Sequence, residues 1–345
     1  MEAVVFTEHG DRDVVDHVEL PEPEPGDGEV VVEVEAAALN HLDVWTRRGL
    51  PGLGLEMPHV PGSDAAGVVV ETGEDVERWR EGDRVAVWPG VSCGECEFCR
   101  DGDTALCVDY HIIGEHTEGV QAERVALPAD NLVEVPEDVP WTTAAAAPLV
   151  FGTAWRMLVE RADVEAGERV LVLGASGGVG HAAVQIADHA GAEVYATAGS
   201  QEKRRAAEDL GAVEAFDYAD GFASAVRDAT GGRGVDVVVD HVGEESWGDS
   251  LKSLAKGGRV VTCGATTGPN PPAELNRVFW NQLSVIGSTM ATPGEADDVL
   301  SLVWKGDLEP RVRDVLPFSE AADGHRMLEE REGFGKVVLR PDSKT

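Results

Sequence analysis

Val170-Leu-Val-Leu173, Gly174-Ala-Ser-Gly177-Gly178-Val-Gly180 and His181-Ala-Ala-Val-Gln-Ile-Ala187 follow one another without a break, and their reading decides the fold. A short apolar run stops abruptly in glycines, and a helix-forming segment starts at once. Sequence writes a buried parallel strand, a tight turn and a helix N-terminus in this way. Glycines let the backbone come close to a pyrophosphate, and the first helical N–H groups and the helix dipole hold the anion. The spacing is G-x-x-G-x-x-G with one added glycine, not G-x-G-x-x-G. The strand before and the helix after therefore carry the reading, which is a dinucleotide-binding turn.

Working outward, strand-like and helix-like segments alternate downstream of residue 169. Candidate strands are Arg169–Leu173, Glu193–Ala198, Val213–Phe216, Val235–Asp240, Arg259–Cys263 and Ser284–Gly287. Such alternation predicts a parallel sheet with right-handed crossovers and helices on both faces, a doubly wound α/β domain. Upstream, short β-rich runs are punctuated by Gly and Pro: Ala3–Phe6, Val14–Leu20, Glu29–Glu35, Gly67–Val70 and Arg84–Val87. They predict a compact, barrel-like β unit. The texture changes near 141–151, where Thr142–Ala147 opens a helix-prone stretch that continues past Pro148 to Leu158. The division expected is 1–151, 152–290 and a returning segment 291–345, whose Lys336–Arg340 reads as a final strand packing on the N-terminal unit. No internal repeat or low-complexity segment interrupts this plan.

The end of the second strand of the doubly wound domain bears on the nucleotide. An acid about twenty residues beyond the glycines reads the ribose in NAD sites. Here Glu193–Ala198 ends in Gly199-Ser200 with no carboxylate, and Lys203, Arg204 and Arg205 follow. A hydroxyl and nearby cations accept a 2′-phosphate that a carboxylate would repel, so NADP(H) is expected.

Four of the five cysteines fall as Cys93-x2-Cys96-x2-Cys99-x7-Cys107. Four thiolates so close in sequence can close a tetrahedral shell around one zinc ion, leaving no open position for chemistry. Ferredoxin spacing ends differently, in x3-Cys-Pro, whereas Val108 follows Cys107. Cys263 stands alone in an apolar strand and is read as core.

Composition limits the partners. The 345 residues hold 64 Asp+Glu against 28 Lys+Arg, a formal net charge of -36 spread along the chain. Such a surface repels nucleic acid and anionic membrane. With 43% hydrophobic residues the chain is not acidic disorder. Self-repulsion on this scale is relieved where the Debye length shrinks to ~3 Å at 1 M salt, so a salt-rich cytoplasm is the expected setting. Met1–Phe6 has neither a basic start nor a long apolar core, so no signal peptide is expected, and no apolar run approaches the ~18 residues of a membrane span.

Taken together, a β-rich unit with a four-cysteine lobe and a glycine-turn Rossmann domain resembles the medium-chain dehydrogenase/reductase superfamily over nearly the whole chain. Gly62-Ser-Asp-Ala-Ala-Gly67 resembles its G-H-E-x-x-G segment and Gly82-Asp-Arg-Val85 the following G-D-R-V. Asn40-His-Leu-Asp43 and Thr197-Ala-Gly-Ser200-x-x-Lys203 resemble the quinone oxidoreductase branch, while the cysteine lobe is typical of zinc alcohol dehydrogenases. The resemblance implies a GroES-like catalytic domain plus the Rossmann coenzyme domain, a homodimer or homotetramer, and a small-molecule substrate. It implies coenzyme contacts from Thr153, Gly174, Ser176, Gly177, Gly178, Val179, Gly199, Ser200, Lys203 and Tyr218, and one structural zinc on Cys93, Cys96, Cys99 and Cys107. Where the family's alcohol dehydrogenases place catalytic zinc ligands, this chain reads Asn40, Ser63 and Leu149. An amide, a hydroxyl and an isobutyl group do not replace thiolate and imidazole. His41, Asp43, His59, Asp64 or His116 stay open as donors to an unorthodox metal site.

Without a Lewis acid, alcohol oxidation loses its main catalytic device. Hydride transfer to an enone, enoyl thioester or quinone needs less help, because the incoming charge spreads to an oxygen that hydrogen-bond donors stabilise. The expectation is an NADPH-dependent reductase of activated alkenes or quinones, with Asn40 as donor, Asp43 as positioning group and His41 or His116 as proton relay. The rivals are an alcohol or aldehyde dehydrogenase with substituted ligands and a non-catalytic nucleotide-binding redox sensor.

Overall fold

The computed structural model describes residues 1–50, 52–218 and 221–345. The chain divides into two units, Met1–Leu149 with Thr292–Thr345, and Val150–Ala291.

Val150–Ala291 is built on six parallel strands in the spatial order Glu214–Phe216, Glu193–Thr197, Arg169–Val172, Val235–Val239, Leu254–Thr262, Ser284–Gly287. Two strands lie on one side of Arg169–Val172 and three on the other, which is the Rossmann order, with its switch between Arg169–Val172 and Val235–Val239. Val170, Leu171, Val172, Val237, Val238 and Val239 are all fully buried, as continuous apolar strands covered on both faces must be. The strand Leu254–Thr262 starts five residues before its sequence signal. Lys256-Gly257-Gly258 forms a bulge within the strand: register with Val235–Val239 shifts between Val235 and Val237. Cys263 lies just past that strand, half-buried, and burial pushes its thiol up to about 12.

The other unit is organised on a seven-stranded sheet. Its central strand Glu29–Ala38 pairs antiparallel with Asp64–Thr72, Arg124–Pro128 and the late strand Lys336–Arg340. That last pairing, Val338 with Ala38 and Leu339 with Ala37, brings the C-terminal segment onto the N-terminal unit. Alternate residues of Glu29–Ala38 enter a core with Val4, Leu39, Val69, Val85, Leu127, Phe318 and Leu339. Alanines of this sheet face a second cluster formed by the helix Trp141–Ala146, as small side chains on both sides let helix and sheet approach closely. No helix among the described residues is long and apolar enough to cross a membrane.

Candidate functional site

In the Rossmann unit the glycine turn follows the strand Arg169–Val172, and the helix Gly178–His189 begins directly after it with Gly177 as N-cap. Gly174 has φ +59°, and its N–H and that of Ala175 bond back to Thr197 Oγ1 (3.2 Å) and Thr197 O (3.0 Å). Gly180 is obligatory for another reason: a Cβ there would lie 2.1 Å from Gly174 O, so helix and turn could not meet. A Cβ on Gly199 would meet nothing within 4 Å, leaving open space at the end of the second strand. Ser176, Gly177, Gly178 and Val179 are half-buried around this turn, and Thr153 is buried on the helix Pro148–Trp155. Ser200 caps the helix Gln201–Asp209, its Oγ accepting from Lys203 N at 3.2 Å. Arg204 binds Asp217 at 2.5 Å, and Arg205 is exposed.

His241, which the sequence reading passed over, completes this end of the sheet. It follows the strand Val235–Val239 across the switch point, where a Cβ on Gly174 would come within 3.0 Å of its Cε1 and 3.5 Å of the Tyr218 hydroxyl. Its buried Nε2 has no hydrogen-bond partner among the described residues, and burial holds the ring below the usual histidine range. A polar residue at the C-terminal end of an apolar parallel strand was the available signal. A glycine turn, a helix N-terminus and an unsatisfied imidazole nitrogen at the switch point fit a dinucleotide.

In the β-rich unit, Asn40 is the N-cap of the helix His41–Arg48 and Asp43 is the third residue of that helix. Asn40 N–H donates to Asp43 Oδ2 at 2.8 Å, so Asp43 caps its own helix. The Asn40 side chain is committed elsewhere: Nδ2 donates to Asp64 Oδ2 at 2.8 Å, and Oδ1 accepts from Lys336 Nζ. Lys336 also stands 3.3 Å from Asp64 Oδ2, and Leu149 N–H donates to Asp64 Oδ1 at 2.9 Å. Asp64 is 0% exposed, Asp43 1%, Lys336 3% and Asn40 5%. Burial raises the Asp64 carboxyl and lowers the Lys336 ammonium, each opposed by the other's charge. Burial likewise lifts Asp43 to about 7, against the Asn40 hydrogen bond and the Lys336 charge.

Lys336 was not singled out from sequence, although a lysine opening the apolar run Lys336–Arg340 was a signal. Its ammonium bonds Asn40, one of the three positions matched to family zinc ligands; another, Ser63, has a buried hydroxyl with no partner among the described residues. This donor set does not fit a catalytic zinc. Among the described residues, His41, Asp43, His59, Asp64 and His116 do not gather into a set of three metal-capable groups. His59 bonds Gly114 O at 3.1 Å, His41 stacks edge-on with Trp45, and His116 Nδ1 accepts from Ile112 N–H at 3.2 Å.

The cysteine lobe is different. The sulfurs of Cys93, Cys96, Cys99 and Cys107 all lie within 4.8 Å of one another. Cys96 and Cys99 Sγ are 3.5 Å apart, and Cys107 Sγ accepts N–H bonds from Cys93 (3.3 Å) and Asp109 (3.4 Å). Zn–S bonds of about 2.3 Å in a tetrahedron require spacings of this order, so the lobe fits a closed zinc site.

Residues 26–137 match the alcohol dehydrogenase GroES-like domain, and residues 178–305 match the zinc-binding dehydrogenase domain. The chain is 33% identical to an acryloyl-coenzyme A reductase of Metallosphaera sedula, over 98% of this chain and 99% of that one. It belongs to the medium-chain dehydrogenase/reductase superfamily. Two solved structures are similar to this medium-chain dehydrogenase/reductase. One, described as an NAD-dependent alcohol dehydrogenase, is 47% identical with a TM-score of 0.95 and 99% coverage of both chains. The other, a variant of crotonyl-CoA carboxylase/reductase AntE in complex with NADP, is 25% identical with a TM-score of 0.91, covering 99% of this chain and 95% of that one. As a member of this superfamily, the protein is an oxidoreductase.

Proposed function

We propose that this protein is an NADPH-dependent reductase of activated alkenes, with one structural zinc on Cys93, Cys96, Cys99 and Cys107 and no zinc in its active site. One observation carries the reading. Asn40, Ser63 and Leu149 stand at the family's zinc-ligand positions, and a buried Lys336 ammonium bonds the Asn40 amide and Asp64. Bound NADPH supplies hydride to the electron-poor carbon of the alkene. The protein's part is to hold the substrate, to stabilise the oxygen that gains charge and to deliver a proton. Asn40 Nδ2 uses one hydrogen on Asp64, and its second has only Ala38 O at 3.5 Å, too long to hold it. That second hydrogen is the donor offered to the substrate oxygen. Asp43 fixes the backbone of Asn40, and His41 or His116 passes the proton.

The absent carboxylate after Ala198 and the cations Lys203 and Arg205 favour the 2′-phosphate of NADP(H), and Thr153, Gly174, Ser176, Gly177, Gly178, Val179, Gly199, Ser200 and Tyr218 are assigned to the coenzyme. The similar acryloyl-coenzyme A reductase supports an enoyl thioester as substrate, and the Asn40–Asp43 motif supports a quinone. Coenzyme oxidation is to be followed against acryloyl and crotonyl thioesters, enones, quinones and aldehydes, with NADPH and with NADH. Turnover of an alkene or quinone with the higher specificity constant for NADPH is expected. Aldehyde or alcohol turnover with none on alkenes or quinones overturns the reading, and an NADH preference overturns the coenzyme assignment.

A further inference from the structure

A second charged feature lies in the Rossmann unit, away from its glycine turn. A cavity of about 720 Å³ is lined by Arg227, Arg233, Lys252, Lys256 and Arg277, and, among the described residues, by no Asp or Glu. The whole chain carries more than twice as many acids as bases, and only six of its residues are lysine, of which two are here. The five cations come from separate elements: the helices Phe222–Ala229, Trp247–Ser253 and Leu275–Asn281, the turn before Val235 and the bulge opening the strand Leu254–Thr262.

Position separates this cavity from the coenzyme. Arg233 precedes the strand Val235–Val239 and Lys256 lies early in its parallel neighbour, so the cavity is at the N-terminal ends of the strands. Gly174 follows the C-terminal end of Arg169–Val172, which runs parallel to both. The two sites lie at opposite ends of the parallel strands of one sheet.

The cations are held without being used up. Arg227 donates to the carbonyls of Lys252 (3.0 Å), Leu254 (3.4 Å) and Gly232 (2.8 Å), which fixes its guanidinium, and it has no carboxylate partner among the described residues. Lys256 has no hydrogen bond or ion pair among the described residues. Lys252 and Arg277 pair with Asp249 and Glu274 three residues away, single contacts of the weak surface kind that a stronger anion can displace, whereas Arg233 grips Asp236 through two bonds of 3.1 and 2.5 Å and contributes its charge at the rim. Guanidinium forks match phosphate oxygens in pairs, and the volume is that of a small-ligand pocket.

We infer that this cavity is a second anion site that takes a small ligand bearing two or more linked phosphates. The probe is inorganic tripolyphosphate, titrated calorimetrically into the full-length chain saturated with NADPH at one fixed ionic strength. One binding event per chain is expected, at least tenfold tighter than for orthophosphate. K256E/R277E is expected to weaken it tenfold or more while NADPH affinity and thermal midpoint hold. If the double variant does not fold, K256A alone is expected to weaken binding about threefold. No binding, equal affinity in the variant, equal affinity for orthophosphate or displacement of NADPH overturns the site. So does a change of oligomeric state in the variant with tripolyphosphate binding intact, which would make the patch a contact between acidic copies of the chain.

Discussion

Asp43 and Lys336 are charged side chains almost without exposure, and their titration is open to measurement. Because burial raises Asp43 to about 7 in the folded protein, well above its unfolded value, the folded state binds the extra proton between roughly pH 4 and 7. Asp43 therefore costs stability as pH rises through that window. In D43N this fall should flatten by roughly 2 kcal/mol between pH 5 and 8, read by urea unfolding at each pH. An unchanged pH profile would remove Asp43 as its source. Lys336 is tested separately. K336M leaves the Asp64 carboxylate buried with only the N–H groups of Asn40 and Leu149, a loss of about 3 kcal/mol by the usual cost of an unpaired buried charge. It also frees the Asn40 amide to rotate, so kcat should fall at least tenfold with KM for NADPH unchanged. Wild-type stability and kcat would show that Lys336 neither pairs Asp64 nor orients Asn40.

At the scale of elements, the cysteine lobe makes the sharpest prediction. Purified protein should contain one zinc per chain by elemental analysis, and removal by a strong chelator should lower the thermal midpoint by roughly 5 °C while NADPH still binds. No zinc would empty the lobe of its role, and two would contradict the zinc-free active site. The cysteines were legible because their ligand spacing is local. So were the parallel strands, whose Val-rich runs end in glycines. The strand Leu254–Thr262 was read short because Gly257-Gly258 writes a turn where the backbone bulges instead. The buried network was harder to foresee, because Asn40, Asp64, Leu149 and Lys336 meet only after two antiparallel pairings and a return from the far end of the chain. From sequence, Asn40 is expected as a donor and Asp43 as a positioning group. Asp43 does cap its helix, while the Asn40 side chain turns to partners 24 and 296 residues away.

Across the whole molecule, bases are few, and some of them serve several acids at once. Arg326 meets Asp323, Glu330 and Glu332, Lys344 meets Glu33 and Glu35, and Glu329 in turn gathers Arg12, Arg47 and Arg48. The remaining acids repel one another at a net charge of -36. Raising KCl from 0.1 to 2 M should lift the thermal midpoint by roughly 5 °C or more, and a flat or falling midpoint would count against adaptation to a salt-rich setting. The most direct test of the function follows the hydride itself. With NADPH deuterated at the transferable position and crotonyl-CoA as substrate, mass spectrometry of the acyl product should find one deuterium at the β-carbon and a solvent proton at the α-carbon. Crotonyl-CoA recovered without deuterium, while the same protein moves the label onto an aldehyde carbonyl carbon, would contradict an alkene reductase.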